Sequence, residues 1–424
     1  MTSETTPLPN LWHVYNLRES PYFQATLGGD PDRYPLSLFV GRRAEAKRLL
    51  ETIGSSGSSR QAVGGAPGVG KTTLVQLVKS DALRAGYWAT DRLVPFYPED
   101  TTEAVLGRLL SGLYEAILTA RPTAAGNAAM EAAQQLVRVS RLESGGVSLS
   151  LLGVGGGFSR GTSAVTPAGA MLLDGPRIIR DLLALAKSGG ARGVVLHLNN
   201  LENLSERDAK HAAEMLRSLR DTVLLQEGLH IVLAGSADAV ATVVGTHAQV
   251  RHVFSTPVAL EPLAIREVQS LLAARYHHLA LGAKKAVPPV GTRAVAELYP
   301  LFRGDLRALF KVLEEGAMLL MGVLGKPGVS IPLHELEPAL RQRFAAVIGN
   351  IDSRRQRQLR AWALKDPAAV HTQKSLVKLW KVSQPAVSGA VAALEQDGFV
   401  VALARRGADP TRYALSGVSR LVFG

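Results

Sequence analysis

Gly65-Ala66-Pro67-Gly68-Val69-Gly70-Lys71-Thr72 matches the pattern G-x-x-x-x-G-K-[ST] in full. A short strand pattern, residues 61–65, precedes it, and a helix-forming run begins at Lys71. That strand–loop–helix context separates a phosphate loop from a chance glycine-rich turn. Glycines are needed because successive backbone N–H groups must face one anion at angles a side chain would block. The helix beginning near Lys71 aims the positive end of its dipole at the same anion. In this reading Gly65, Pro67, Gly68, Val69, Gly70, Lys71, Thr72 and Thr73 hold ATP. Lys71 neutralises the β- and γ-phosphates, Thr72 ligates Mg²⁺, and Thr73 lies beside it.

Outward from the loop, residues 38–53 place apolar side chains at helical spacing after Gly41, and residues 55–60 read as a Gly/Ser loop. Helical patterns follow at 102–119, 124–141 and 174–187, then a fully apolar strand at 194–198 broken by His197. Ser205, with acids in the turn after it, caps a helix over 205–219, and residues 230–234 form the next buried strand. Short buried strands alternating with helices predict an α/β domain with a largely parallel sheet. Residues 145–161 carry seven glycines among alternating Ser, Val, Leu and Phe, which reads as a β-hairpin or a mobile loop. After Pro262 the strand signal ends. Residues 264–320 read as three amphipathic helices, and a Gly/Pro-rich stretch leads to a helix at 333–347. The division expected is an N-terminal segment plus α/β domain over 1–258, an all-α lid over 259–345, and a basic domain over 346–424.

The chain has 424 residues, 46% of them hydrophobic, and no cysteine. That length suggests two or three domains, each able to bury a core. Lack of cysteine excludes a disulfide framework, a thiolate zinc site and a thiol nucleophile. The first residues carry no basic and apolar signal pattern, and no apolar run approaches the roughly 18 residues of a spanning helix. The expectation is a soluble cytoplasmic protein without a membrane partner, nucleoid-associated in a prokaryote. Residues 341–424 hold 14 Lys and Arg against 5 Asp and Glu, so +9 of the net +12 lies there. Such asymmetry points to nucleic acid at the C-terminal end.

A P-loop site expects an Asp at the end of a second buried strand to hold Mg²⁺. Here the strand 194–198 runs into Asn199-Asn200-Leu201-Glu202, so both positions are amides. An Asn can hold a metal-bound water but cannot act as a carboxylate base. Glu202 is the nearest carboxylate; it either reaches the γ-phosphate water or faces solvent. ATP binding with slow or absent hydrolysis follows.

At the C-terminal end, residues 371–380 read as a helix with Leu376, Val377 and Trp380 on its apolar face, and residues 381–383 as a turn. A second helix follows, with Ser383 as N-cap, Pro385 in its first turn and Gly398 as its stop. Residues 399–403 and 412–415 then form a hairpin with a basic tip, completing a winged helix-turn-helix. The second helix would enter the major groove with Ser383, Gln384 and Ser388 toward bases or phosphates. Lys374, Lys378, Lys381, Arg405, Arg406 and Arg412 would contact phosphates. The recognition helix offers no Arg, Lys or Asn, so weak sequence specificity and salt-dependent affinity for double-stranded DNA are expected. Winged helices also serve as protein-interaction modules, and that reading stands beside the first.

The ordered landmarks resemble an AAA+ ATPase, most closely the origin-recognition and replication-initiator-like branch. Leu38-Phe39-Val40-Gly41-Arg42-Arg43-Ala44-Glu45 resembles that family's box before the P-loop, which helps shape the adenine pocket. Asn199 to Leu204 takes the place of the acidic motif, three acids having become two amides and one Glu. Leu233-Ala234-Gly235-Ser236-Ala237 sits where sensor 1 belongs, with Ser236 its polar group. Residues 250–254 resemble the arginine-finger segment, so the resemblance implies that Arg251 reaches a neighbouring subunit's γ-phosphate. Gly304-Asp305-Leu306-Arg307 matches the family's Gly-Asp-x-Arg and puts Arg307 in the sensor 2 role. Asn199, Asn200, Glu202, Ser236, Arg251 and Arg307 are thus the implied catalytic group. ATP would lie between copies of the chain, which would assemble as a homo-oligomer or filament on DNA. The resemblance covers residues 36–345 and extends to the winged helix; the amide-bearing motif and the 145–161 insertion depart from it. A signalling ATPase whose winged helix contacts protein, and a transposition-helper ATPase, share the same fold.

Overall fold

The computed structural model describes residues 10–144, 169–321, 328–403 and 409–424. They fall into two compact units: Arg42–Gly65 with Gly70–Leu260, and the described parts of Met1–Gly41, Ala66–Val69 and Glu261–Gly424.

The first unit runs α1 (Arg43–Gly54), β1 (Ser59–Gly65), α2 (Lys71–Arg84), β2 (Trp88–Ala89), β3 (Val94–Pro95), α3 (Thr102–Ala120), α4 (Ala128–Ser144) and α5 (Ala170–Ser188). It continues with β4 (Val194–Asn199), α6 (Glu206–Ser218), β5 (Leu229–Gly235), α7 (Ala237–Gly245), α8 (Ala248–Arg251) and β6 (Val258–Leu260). The strands form one parallel sheet in the order β2-β4-β5-β1-β6, with β3 beside β4. Every residue of β1 and β5 is buried, as expected of parallel strands covered on both faces. Leu106, Leu110 and Leu113 of α3 and Ile179 and Leu182 of α5 share one core with Val194, Leu196 and Leu198 of β4. Ser205 caps α6 in a reciprocal box with Asp208, and Thr101 caps α3 by accepting the Ala104 N–H.

Several boundaries differ from the sequence expectation, the helix expected from residue 174 beginning at Ala170. β1 starts at Ser59, inside the stretch read as a loop, because Ser59 and Arg60 pair in register with His230 and Ile231. The helix expected from residue 124 begins at Ala128, the preceding residues Pro122–Gly126 closing as a 3₁₀ turn. The Gly-rich stretch 145–161 lies outside the described residues.

In the second unit, α9 (Ile265–Leu279), α10 (Thr292–Leu298) and α11 (Leu306–Met321) supply the three expected helices, followed by α12 (Leu333–Gly349). The N-terminal segment is a correction. The sequence groups it with the α/β domain, yet Trp12, Tyr15, Leu17, Tyr22 and Phe23 are buried in the core of these helices with Leu271, Leu309, Phe310 and Leu336. Arg275 fastens it: the guanidinium donates to the carbonyls of Pro21 (3.0 Å) and Phe23 (2.9 Å) and lies over the rings of Phe23 and Phe310.

The basic domain forms a further core around Trp362, Leu376, Trp380, Val387, Leu394 and Tyr413. Its order is α13 (Ser353–Lys365), β7 (Val370–Thr372), α14 (Gln373–Trp380), α15 (Gln384–Gln396), β8 (Val400–Leu403), β9 (Arg412–Leu415) and α16 (Gly417–Phe423). His371 and Thr372, expected in the helix, instead pair with Tyr413 and Arg412 in an antiparallel sheet of order β7-β9-β8. Thr372 then caps α14 by accepting the Ser375 N–H. Helix-turn-helix and hairpin follow in the order expected of a winged helix. Among the described residues no helix is long and apolar enough to cross a membrane.

Candidate nucleotide site and nucleic-acid interface

β4, β5 and β1 are neighbours in the sheet, so Asn199, Ser236 and the start of the P-loop all stand at carboxyl ends of adjacent strands. Parallel α/β sheets bind ligands at that edge. Gly68 (φ +76°) and Gly70 (φ +93°) give the loop its left-handed turns, and Gly70 is the N-cap of α2. Lys71 is 7% exposed, and its Nζ donates to the Gly65 carbonyl at 3.1 Å. The lysine is thus folded back across the loop. Thr72 and Thr73 follow in the first turn, half-buried.

The amide pair divides into two roles. Asn199 ends β4, and its Oδ1 is buried with no hydrogen-bond partner among the described residues. An orphaned buried acceptor suits a metal-bound water. Asn200 sits at φ +72°, a left-handed conformation in which Asn is favoured, and its Nδ2 donates to the Phe96 carbonyl at 2.8 Å. Its amide makes the turn. Leu201 is fully buried, and a Cβ on Gly235 would lie 2.5 Å from the Leu201 Cβ, so glycine is what lets this turn lie against β5. Glu202, next in the turn, is exposed.

Ser236 is the N-cap of α7, its Oγ accepting the Ala239 N–H at 3.2 Å. Arg251 is exposed at the end of α8 and donates to the Gly245 carbonyl at 2.9 Å. Arg307 is exposed in the first turn of α11, where its N–H and that of Ala308 donate to Asp305 Oδ1.

Sequence reading misses one buried polar group, Lys79 on α2, and meets a second, His197 on β4, only as a break in an apolar strand. Lys79 is 2% exposed, donates to the Thr90 carbonyl at 2.6 Å, and is lowered to about 8 by burial. His197 is fully buried, lowered to about 3 by burial and then by the Lys79 charge, and neither ring nitrogen has a partner among the described residues. The imidazole is neutral at any working pH. Lys79 lies in a helical run of mixed polarity, which carries no sequence signal that it is buried.

Lys374 and Lys378 lie one helical turn apart on the exposed face of α14, and exposed Lys381 continues that face into the turn at φ +53°. Arg412 is exposed at the start of β9. None of these four forms an ion pair with a carboxylate among the described residues. Ser383 and Ser388 are exposed, and Gln384 Nε2 donates to Gln373 Oε1 at 2.8 Å, tying the start of α15 to the start of α14. Arg405 and Arg406 lie outside the described residues.

The family described as AAA ATPase domain matches residues 38–233. No curated protein matches the sequence. Among solved structures, the ORC2 protein of Aeropyrum pernix in its ADPNP–ADP complexes is 14% identical with TM-score 0.48, covering 95% of each chain. The Walker-type ATPase of Pyrococcus abyssi is 16% identical with TM-score 0.47, covering 97% of this chain and 99% of that one. Drosophila ORC bound to DNA is 13% identical with TM-score 0.43, covering 99% and 94%.

Proposed function

We propose that this chain, whose residues 38–233 match the AAA ATPase domain family, is an ATP-controlled, DNA-binding protein of the replication-initiator-like kind. It assembles with its own copies on duplex DNA, with little sequence preference and slow hydrolysis. One observation carries the reading: a complete phosphate loop with its lysine in place, and an exposed basic stripe on a helix-turn-helix, occur in one chain.

Lys71 and the loop N–H groups bind the phosphates of ATP. Thr72 and, through a water, Asn199 would hold Mg²⁺, which supplies charge neutralisation for those phosphates when bound. Slow turnover follows from the carboxylates. Position 199 is an amide, Asn200 is committed to its turn, and Glu202 is exposed. Arg251, exposed on α8, is available to a neighbouring copy, and Arg307 to a γ-phosphate. The exposed lysines of α14 and Arg412 hold the DNA backbone, while α15 presents small and amide side chains that read bases weakly.

Fluorescence anisotropy of labelled duplexes, with and without ATP, at low and raised salt, tests this. The expected result is salt-sensitive binding that ATP alters. Lys71→Ala removes the ATP response and keeps the DNA affinity. Lack of duplex binding at low salt would refute the DNA half and favour a protein partner; lack of ATP binding would refute the other half.

A further inference from the structure

We infer that Asp305 is a built-in competitor of nucleotide: its carboxylate rests against Gly68 of the phosphate loop, and bound phosphate has to displace it. The inference rests on the nucleotide reading above and adds a regulation of that site. A Cβ placed on Gly68 would lie 2.1 Å from Asp305 Oδ1, 2.9 Å from its Cγ and 3.1 Å from the Leu306 backbone nitrogen. Glycine is therefore required twice over, for the positive φ and for the room the carboxylate takes.

The carboxylate is held there by its own helix. Its Oδ1 accepts the N–H groups of Arg307 (3.0 Å) and Ala308 (3.1 Å), capping α11. The preceding Gly304 has φ +87°, and a Cβ there would lie 2.4 Å from the Pro262 Cβ, so the turn aiming Asp305 is braced from behind. Leu306, next along, is buried. A loop whose N–H groups converge on an anion thus has a carboxylate beside it. Triphosphate bound to that loop would meet the Asp305 charge at close range, and like charges there oppose each other. Arg307 stands two residues on, so one short segment carries a group that repels phosphate and a group that attracts it.

Asp305→Asn keeps the size and helix cap of the side chain and deletes its charge. Asp305→Ser, another good cap, reports the same deletion should the amide variant be unstable. Fluorescent ATP and ADP analogues are titrated into the full chain at low and raised salt, with melting curves as a folding control. Both variants are expected to bind about tenfold tighter than wild type at low salt, the gain being larger for the triphosphate and shrinking as salt screens it. A purely structural role for Asp305 would weaken binding. Equal or weaker binding by a folded variant, with wild-type binding measurable, overturns this inference alone. Binding by neither protein overturns the nucleotide reading and this inference with it.

Discussion

Removing two lysines from the basic stripe should change the salt dependence of DNA binding by a calculable amount. Lys374, Lys378, Lys381 and Arg412 are exposed and make no ion pair with a described carboxylate, so each is free to neutralise one phosphate. Each phosphate neutralised contributes about −0.9 to the slope of log affinity against log salt, giving about −3.6 for four. Raising salt fourfold then lowers affinity by about 150-fold. In Lys374→Ala/Lys378→Ala the slope falls to about −1.8 and the same salt step costs about 12-fold. Any phosphate contacts beyond these four steepen both slopes equally and leave the difference of about 1.8 intact. Both lysines point to solvent, so the melting temperature should stay within the small range of surface substitutions. The assay is anisotropy of two unrelated duplexes over a salt series, and the loss should be the same on both. A slope unchanged in the double variant would refute the placement of these lysines on the backbone. A loss confined to one duplex would show that they read bases.

Three further outcomes follow from the nucleotide unit. Lys71→Ala should weaken binding of a fluorescent ATP analogue by about 10- to 100-fold, the worth of one charge-assisted hydrogen bond, and undiminished affinity would remove Lys71 from the site. Burial lowers Lys79 to about 8 from 10.5, so between those values the unfolded chain binds more protons than the folded one and this group makes stability rise with pH. Lys79→Met should flatten that rise in a melting-temperature profile over pH 8 to 10.5, and superimposable profiles would refute it. Asn199→Asp places a carboxylate where the orphaned acceptor stands, and Mg²⁺-dependent phosphate release should increase over a slow wild-type rate; no increase would mean that position 199 does not limit turnover.

Where the determinants are local, the sequence alone is enough. The P-loop glycines, the Ser205 cap with its acidic first turn, the apolar runs of β4 and β5, and the turn and stop signals around α15 each lie within a few residues. Dihedral preference, capping and side-chain period act over that range. For the same reason the parallel α/β class and the three helices after Pro262 are legible, and so is the family resemblance, which the AAA ATPase domain match over residues 38–233 supports. α13 is not legible, because arginines crowd its sequence and hide the stripe made by Leu359, Trp362 and Ala363.

What the tertiary structure decided depends on residues far apart in the chain. The strand order β2-β4-β5-β1-β6, the pairing of His371 with Tyr413, and the anchoring of the N-terminal segment by Arg275 all rest on such partners. The turn role of Asn200, which needs both a left-handed backbone and the carbonyl of Phe96, is of the same kind. So is the approach of Asp305 to Gly68, between positions 237 residues apart. Composition and periodicity carry no information about which distant partner fills a gap. Packing chooses it, because a buried polar atom or an empty cavity costs more free energy than the local chain preference that would have left it there.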